Sequence, residues 1–333
     1  MAAVRILLTA LAVLVFFAPC SAETSPDSRP NTSAVSAPGT HPTIIPAAFA
    51  GPPTGFPRDA KTGALNKVPL AGVKNDAAWF HLAVPPNYTP DQAYPLVLIL
   101  HGGPAGNGPD DIISFFRRGL MAKNVISAYP NALEKQLLAW NYPDHSAYLL
   151  AIIKQVAATY RVDPCRIYLV GVSMGGGGVW ANGAIMPQVW AGIGPISGWY
   201  HPTPIPPTEG LKDLPIYCLH GEKDADVPAA RSRLAVAELT KLGHTILTLK
   251  DPTNLKGVGK ETMVYREIPN AEHNVFLPWD TQGRTELGLM IAWLTAHKRS
   301  QPADLDAAAR SLAIWGKESF HWTYDGLLGT YDK

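Results

Sequence analysis

The chain has 333 residues, 47% of them hydrophobic and 17% charged, with 28 basic residues against 27 acidic ones. This length and composition suit a single α/β domain of roughly 250 to 280 residues with a large core. A formal net charge of +1, with no stretch that concentrates the basic residues, leaves no electrostatic footprint for nucleic acid.

In chain order, the first segment reads as a targeting peptide at residues 1–22. Arg5 supplies the positive start, Ile6–Phe17 is apolar but short for a bilayer span, and Ala18-Pro19-Cys20-Ser21-Ala22 offers small residues for cleavage. The mature protein is therefore expected to be secreted or periplasmic. Acylation of Cys20 is the alternative, and Pro19 before the cysteine disfavours it. Residues 23–50 are rich in Ser, Thr, Pro and Ala without periodicity, which predicts a disordered linker. Residues 51–333 then form the predicted catalytic domain.

Pro95–Leu100 is an unbroken apolar run, as expected of a strand buried on both faces of a parallel sheet, and it ends in His101-Gly102-Gly103-Pro104. Asp110–Phe116 predicts a helix and Asn124–Tyr129 a short strand. Leu149, Ile153, Val156 and Tyr160 recur at helical spacing within 146–160. Apolar Arg166–Val170 leads into Gly171-Val172-Ser173-Met174-Gly175, and Trp190–Pro195 reads as the next strand. His201–Asp213 is too short and too proline-rich to form an inserted domain, so a site at this sheet edge is expected to be open to a bulky or polymeric substrate. Leu214–Leu219 is another buried strand, followed by a helix at Ala229–Lys241 and a strand-like Thr245–Leu247. Met263–Ile268 alternates like a strand, and Thr285–His297 closes with a helix. The alternation predicts a mainly parallel sheet with helices on both faces. The tail from Ser311 to Lys333 carries no reading.

Gly171–Gly175 is a G-x-S-x-G turn between a strand and a helix, the setting in which a serine becomes a nucleophile. A Cβ two residues before or after Ser173 would collide with neighbouring backbone. By itself the pattern also fits a plain glycine-rich connection. Ser173 needs a base, a group to orient the base, and donors for an oxyanion. Asp224, in the loop past a strand end, is the expected orienting acid. Asp226 is read instead as a helix-capping decoy, and Glu222 as a weaker one. Of the later histidines, His244 leaves a helix, His297 ends one and His321 lies in an aromatic tail. His273 alone follows a strand directly, on the edge where such sites gather, and is the predicted base. The Gly103 N–H, with Gly102 as the alternative, and the Met174 N–H are the predicted oxyanion donors. His101 is expected to bond loop backbone. Trp199, Trp279 and Trp140 are candidate aromatic platforms for substrate, with packing as their competing role. No metal-ligand spacing appears and no cofactor is expected. Cys165 and Cys218 remain after export; their separate positions argue against a bridge between them.

The runs Ala78–Tyr88, PLVLILHGG, Tyr160–Val170 with GVSMGG, Pro195–Trp199, HGEKDADVP and Ala271–Phe276 resemble the secreted esterase branch of the α/β-hydrolase superfamily. That branch includes feruloyl and acetylxylan esterases, polyhydroxyalkanoate depolymerases and "predicted peptidase" sequences. The resemblance spans roughly residues 78 to 297 and implies a Ser-His-Asp serine carboxylesterase acting on a small or polymeric ester. Dienelactone-type hydrolases share the scaffold but carry cysteine where this chain has Ser173. Two rivals remain: a serine peptidase with the same triad, and a non-catalytic carbohydrate- or surface-binding module.

Overall fold

A computed structural model describes residues 62–72, 75–103, 107–134, 139–201, 208–249, 261–275 and 281–315. The targeting segment, the linker, Trp279, His321 and the tail beyond Trp315 lie outside the described residues. Nine strands form one sheet: β1 (Leu65–Pro69), β2 (Trp79–Ala83), β3 (Tyr94–Leu100), β4 (Ile126–Pro130), β5 (Val162–Val172), β6 (Gly192–Ile196), β7 (Ile216–Gly221), β8 (Ile246–Thr248) and β9 (Met263–Ile268). Their spatial order is β1-β2-β4-β3-β5-β6-β7-β9-β8. β1 and β2 pair antiparallel, as do β2 and β4, and every other pairing is parallel. The antiparallel edge strand β1 has no counterpart among the elements expected from sequence, because its residues are half-buried or exposed and do not alternate cleanly.

The unbroken apolar strand is buried because it is central. Every residue of β3 is inaccessible, with Leu98 registered against Ala128 of β4 on one side and Leu169 of β5 on the other. Successive side chains leave opposite faces. Leu96, Leu98 and Leu100 enter one core with α2 (Pro143–Thr159), α3 (Met174–Ile185), α4 (Ala230–Lys241) and α6 (Leu305–Trp315). Val97 and Ile99 enter the other with α1 (Asp110–Ala122) and α5 (Thr281–Ala296). Two cores back to back on one sheet are the consequence of helices covering both faces. α2 begins with Pro143 in its first turn, where a missing N–H costs nothing, and Asp144 beside it complements the helix dipole.

Cys165 and Cys218 are both free and buried. The Cys218 thiol lies 3.3 Å from Ser232 Oγ, and burial pushes its pKa up to about 12, so it is inert at neutral pH.

Candidate active site

Parallel strands β5, β7 and β9 end on the same edge of the sheet, and the loops that leave them carry Ser173, Asp224 and His273. Ser173 sits on the turn from β5 into α3 with φ 56° and ψ −116°, outside the conformations that side-chain-bearing residues ordinarily occupy. Its neighbours hold it there. The Ser173 N–H donates to Ile196 O at 2.9 Å. A Cβ on Gly171 would come within 2.4 Å of Gly175 O, and one on Gly175 within 2.3 Å of Leu100 O. The glycines are what let the turn close this tightly against β3.

The three side chains meet. His273 Nε2 stands 2.8 Å from Ser173 Oγ, and His273 Nδ1 stands 2.8 Å from Asp224 Oδ2. A proton on Nδ1, donated to the carboxylate, leaves Nε2 free to accept from the serine hydroxyl. Asp224 Oδ1 accepts the N–H groups of Asp226 at 3.0 Å and Val227 at 2.8 Å. Burial opposes the ionisation of Asp224, but hydrogen bonds from His220, His273 and the Val227 N–H outweigh it, and the carboxyl is held well below the usual carboxylate range. The loops of Asp224 and His273 are tied by the Lys223 N–H, which donates to Ala271 O at 2.8 Å. Ser197 Oγ donates to His273 O at 2.8 Å from a third loop.

His220 is a site residue that sequence reasoning missed. It is fully buried, and its Nε2 lies 2.8 Å from Val227 O and 3.2 Å from Asp224 Oδ2. Ser232 Oγ is 2.8 Å from its Nδ1. The only available signal was its place at a strand end, four residues before the acid. Asp226 needs a correction: α4 has no side-chain cap, and Asp226 contributes its backbone N–H to Asp224 instead. Glu222 accepts the Asn270 N–H at the surface. His244 bonds Leu211 O, and His297 bonds Trp293 O, both away from Ser173.

On the opposite side of Ser173, a Cβ built on Gly102 would stand 3.4 Å from the serine Cβ, whereas one on Gly103 meets open space. His101 orients this loop. Its Nε2 accepts the Ala132 N–H at 3.1 Å, so its proton is on Nδ1, which lies 2.7 Å from Gly102 O. That carbonyl belongs to the same planar peptide as the Gly103 N–H and points the opposite way. Holding one aims the other. Burial lowers the His101 pKa, which keeps the ring in this neutral form. Met174 opens α3, so its N–H has no acceptor within the helix. Trp140 is wholly buried, with its ring edge-on to His101 and His145 and its Nε1 donating to His101 O at 3.1 Å. It packs against the loop of His101 and Gly102, the packing role of its two expected roles. Trp199 is half-buried beside α3.

Among the described residues, no cluster of His, Cys, Asp or Glu has the arrangement of a metal site, and no helix is long and apolar enough to cross a membrane.

A serine turn after the fifth strand, with an acid and a histidine after later strands of a mainly parallel sheet, is the arrangement of the α/β-hydrolase fold. Residues 139–262 match the family described as phospholipase/carboxylesterase. The chain is 29% identical over 142 residues to a poly(3-hydroxybutyrate) depolymerase of Ralstonia pickettii, an alignment covering 37% of this chain and 29% of that protein. It therefore spans under a third of the curated relative's length. Among solved structures it resembles a thermostable esterase, with TM-score 0.50 and 23% identity over 71% of this chain and 63% of the other. It also resembles the feruloyl esterase module of Clostridium thermocellum in complex with sinapinate, with TM-score 0.53 and 14% identity over 70% of this chain and 88% of that one.

Proposed function

We propose that this chain is an exported serine carboxylesterase in which Ser173, His273 and Asp224 act as the catalytic triad. One observation carries the reading: His273 lies 2.8 Å from Ser173 Oγ through one ring nitrogen and 2.8 Å from Asp224 through the other. Ser173 Oγ attacks the ester carbonyl as its proton passes to His273 Nε2. Negative charge grows on the carbonyl oxygen and is received by the Gly103 and Met174 N–H groups, each worth roughly 3 kcal/mol in hydrolases of this kind. The tetrahedral species collapses, and His273 returns the proton to the leaving alkoxide. Water, deprotonated by the same nitrogen, then releases the acid. Asp224 holds the imidazole orientation and stabilises the imidazolium. The family match over 139–262 and the alignment with a polyester depolymerase support a carboxylic ester as substrate. The short apolar Ile6–Phe17, followed by small residues, supports export.

The test is hydrolysis of p-nitrophenyl acetate, p-nitrophenyl octanoate, methyl ferulate and a chromogenic peptide amide by wild type and Ser173→Ala, with fluorophosphonate labelling of both. Serine-dependent cleavage of an ester and labelling of wild type alone are expected. Cleavage of the amide alone would move the protein to the peptidases. Silence on all four with no labelling would leave a binding module.

A further inference from the structure

One turn beyond Ser173, α3 borders a narrow cleft. Gly177, Trp180 and Ala184 of that helix line it together with Asn141, Trp199 and His201, and it encloses about 20 Å³. That is room for one water-sized group. Three polar atoms of its lining are buried and, among the described residues, make no hydrogen bond: Asn141 Oδ1, Trp180 Nε1 and Trp199 Nε1. Trp180 is only 4% exposed. Buried polar groups are nearly always partnered, because leaving one unmade costs the full desolvation of that group. Three such atoms around one small cleft, beside a reactive serine, point to a ligand.

Their chemistry selects it. Two indole N–H groups only donate, and an amide oxygen only accepts. A carboxylate or ketone could take the donors but would meet the amide oxygen lone pair to lone pair. An ammonium would meet the indole donors in the same way. A hydroxyl accepts through its oxygen and donates through its hydrogen, so a single such group answers all three.

The cleft is coupled to the reaction centre. Gly177 is one helical turn beyond Ser173, and its N–H donates to Ser173 O at 3.0 Å. That turn is a rise of roughly 6 Å. Trp199 follows Ser197, whose hydroxyl holds the carbonyl of His273 at 2.8 Å. A substrate chain leaving the scissile carbonyl along α3 reaches the cleft after about four to six bonds.

We propose that this cleft is a subsite that recognises a free alcohol group on the ester substrate, so that the preferred substrates are hydroxyl-bearing esters. The inference rests on the serine esterase reading. Two matched pairs test it and tell which half of the ester carries the group: p-nitrophenyl 6-hydroxyhexanoate against p-nitrophenyl hexanoate for the acyl side, and 4-hydroxybutyl butyrate against butyl butyrate for the alcohol side. Wild type should favour the hydroxyl-bearing member of one pair by at least about tenfold in kcat/KM, since the analogue leaves the polar atoms unpaired. Trp199→Phe removes one N–H and keeps a ring. Gly177→Ala puts a methyl into the cleft, 3.9 Å from Asn141 Oδ1 and 3.7 Å from Trp199 O, which is ordinary contact that the fold accepts. Each variant should pull the preference toward one. A wild-type ratio near one in both pairs, with Ser173-dependent hydrolysis of the hexanoate intact, overturns the subsite and leaves the esterase standing; a cleft that merely houses a water gives that result. A preference that neither variant moves also overturns it. Absence of serine-dependent hydrolysis of any ester overturns both readings.

Discussion

Asp224→Asn is the most discriminating perturbation, because the structure dictates which way the new amide must face. Asp224 Oδ1 accepts two backbone N–H groups, from Asp226 at 3.0 Å and Val227 at 2.8 Å. Only an oxygen can stand there. The amide nitrogen introduced by the substitution is therefore forced into the Oδ2 position, 2.8 Å from His273 Nδ1. An NH₂ group donates, so the imidazole must answer with a lone pair on Nδ1 and carry its proton on Nε2. Nε2 then points a hydrogen at Ser173 Oγ, where the reaction needs an acceptor. The loss expected from such a reversed tautomer is about 10⁴-fold in kcat, or roughly 5 kcal/mol of transition-state stabilisation. His220 Nε2, which also faces Oδ2 at 3.2 Å, can keep its bond to Val227 O at 2.8 Å, so the fold has a way to absorb the change. The assay is steady-state hydrolysis of p-nitrophenyl butyrate, with thermal unfolding of the same preparations. A folded variant that keeps more than about a tenth of wild-type kcat refutes the assignment of Asp224.

His220→Leu removes a buried donor to Asp224 and leaves the Ser232 hydroxyl with only the Cys218 thiol; unfolding in urea should show roughly 2 to 3 kcal/mol less stability, and kcat should fall as well. Wild-type kcat in that variant would mean that His220 supports only the loop. Gly171→Ala sets a Cβ 2.4 Å from Gly175 O, against backbone that cannot step aside; soluble yield or Tm should drop sharply, and unchanged Tm would contradict the strained turn. Stability should also depend on pH in a stated direction. Burial pushes the His145 pKa down to about 4 and lowers that of His101, so the unfolded chain takes up these protons first. The His145 contribution is complete above about 6.5 and is lost as pH falls through about 4, at most roughly 3 kcal/mol, and that of His101 is lost in the same direction. Calorimetry at pH 7.5, 5.5 and 4.5 should show Tm falling, less steeply in His145→Gln; identical slopes would remove His145 as a cause.

The parts legible in the sequence are those whose signal is local. β3 announces itself because a strand between β4 and β5, with helices over both faces, has no polar side, and the run Pro95–Leu100 has none. Ser173 is legible because the strained turn demands Gly171 and Gly175 within five residues. Asp224 and His273 follow by a weaker logic: each sits just past an apolar strand, and parallel strands end on one edge. That logic fails where an outcome depends on what is brought together from far apart. Sequence prefers Asp224 to Asp226 only by assigning Asp226 to a helix cap that α4 does not use, and it is the geometry of His273 and the Val227 N–H that separates them. Trp140 reads as a loop aromatic that either meets substrate or packs; its burial comes from α3 and the two histidines closing on it.

His101 and His220 show the same limit from the other side. Each lies beside a motif residue, in His101-Gly102-Gly103 and His220-Gly221 to Asp224, and in sequence neither is distinguishable from a packed loop histidine. In space each is one bond removed from a group of the proposed site. His101 fixes the peptide that presents the Gly103 N–H, and His220 donates toward the carboxylate that orients His273. Both are buried, and each has its ring nitrogens engaged by fixed partners, so neither can turn to serve as a base. Of the histidines in the strand-end loops, only His273 has one nitrogen committed to a carboxylate and the other facing a serine hydroxyl. Partner chemistry, rather than position along the chain, is what separates the proposed proton carrier from its braces.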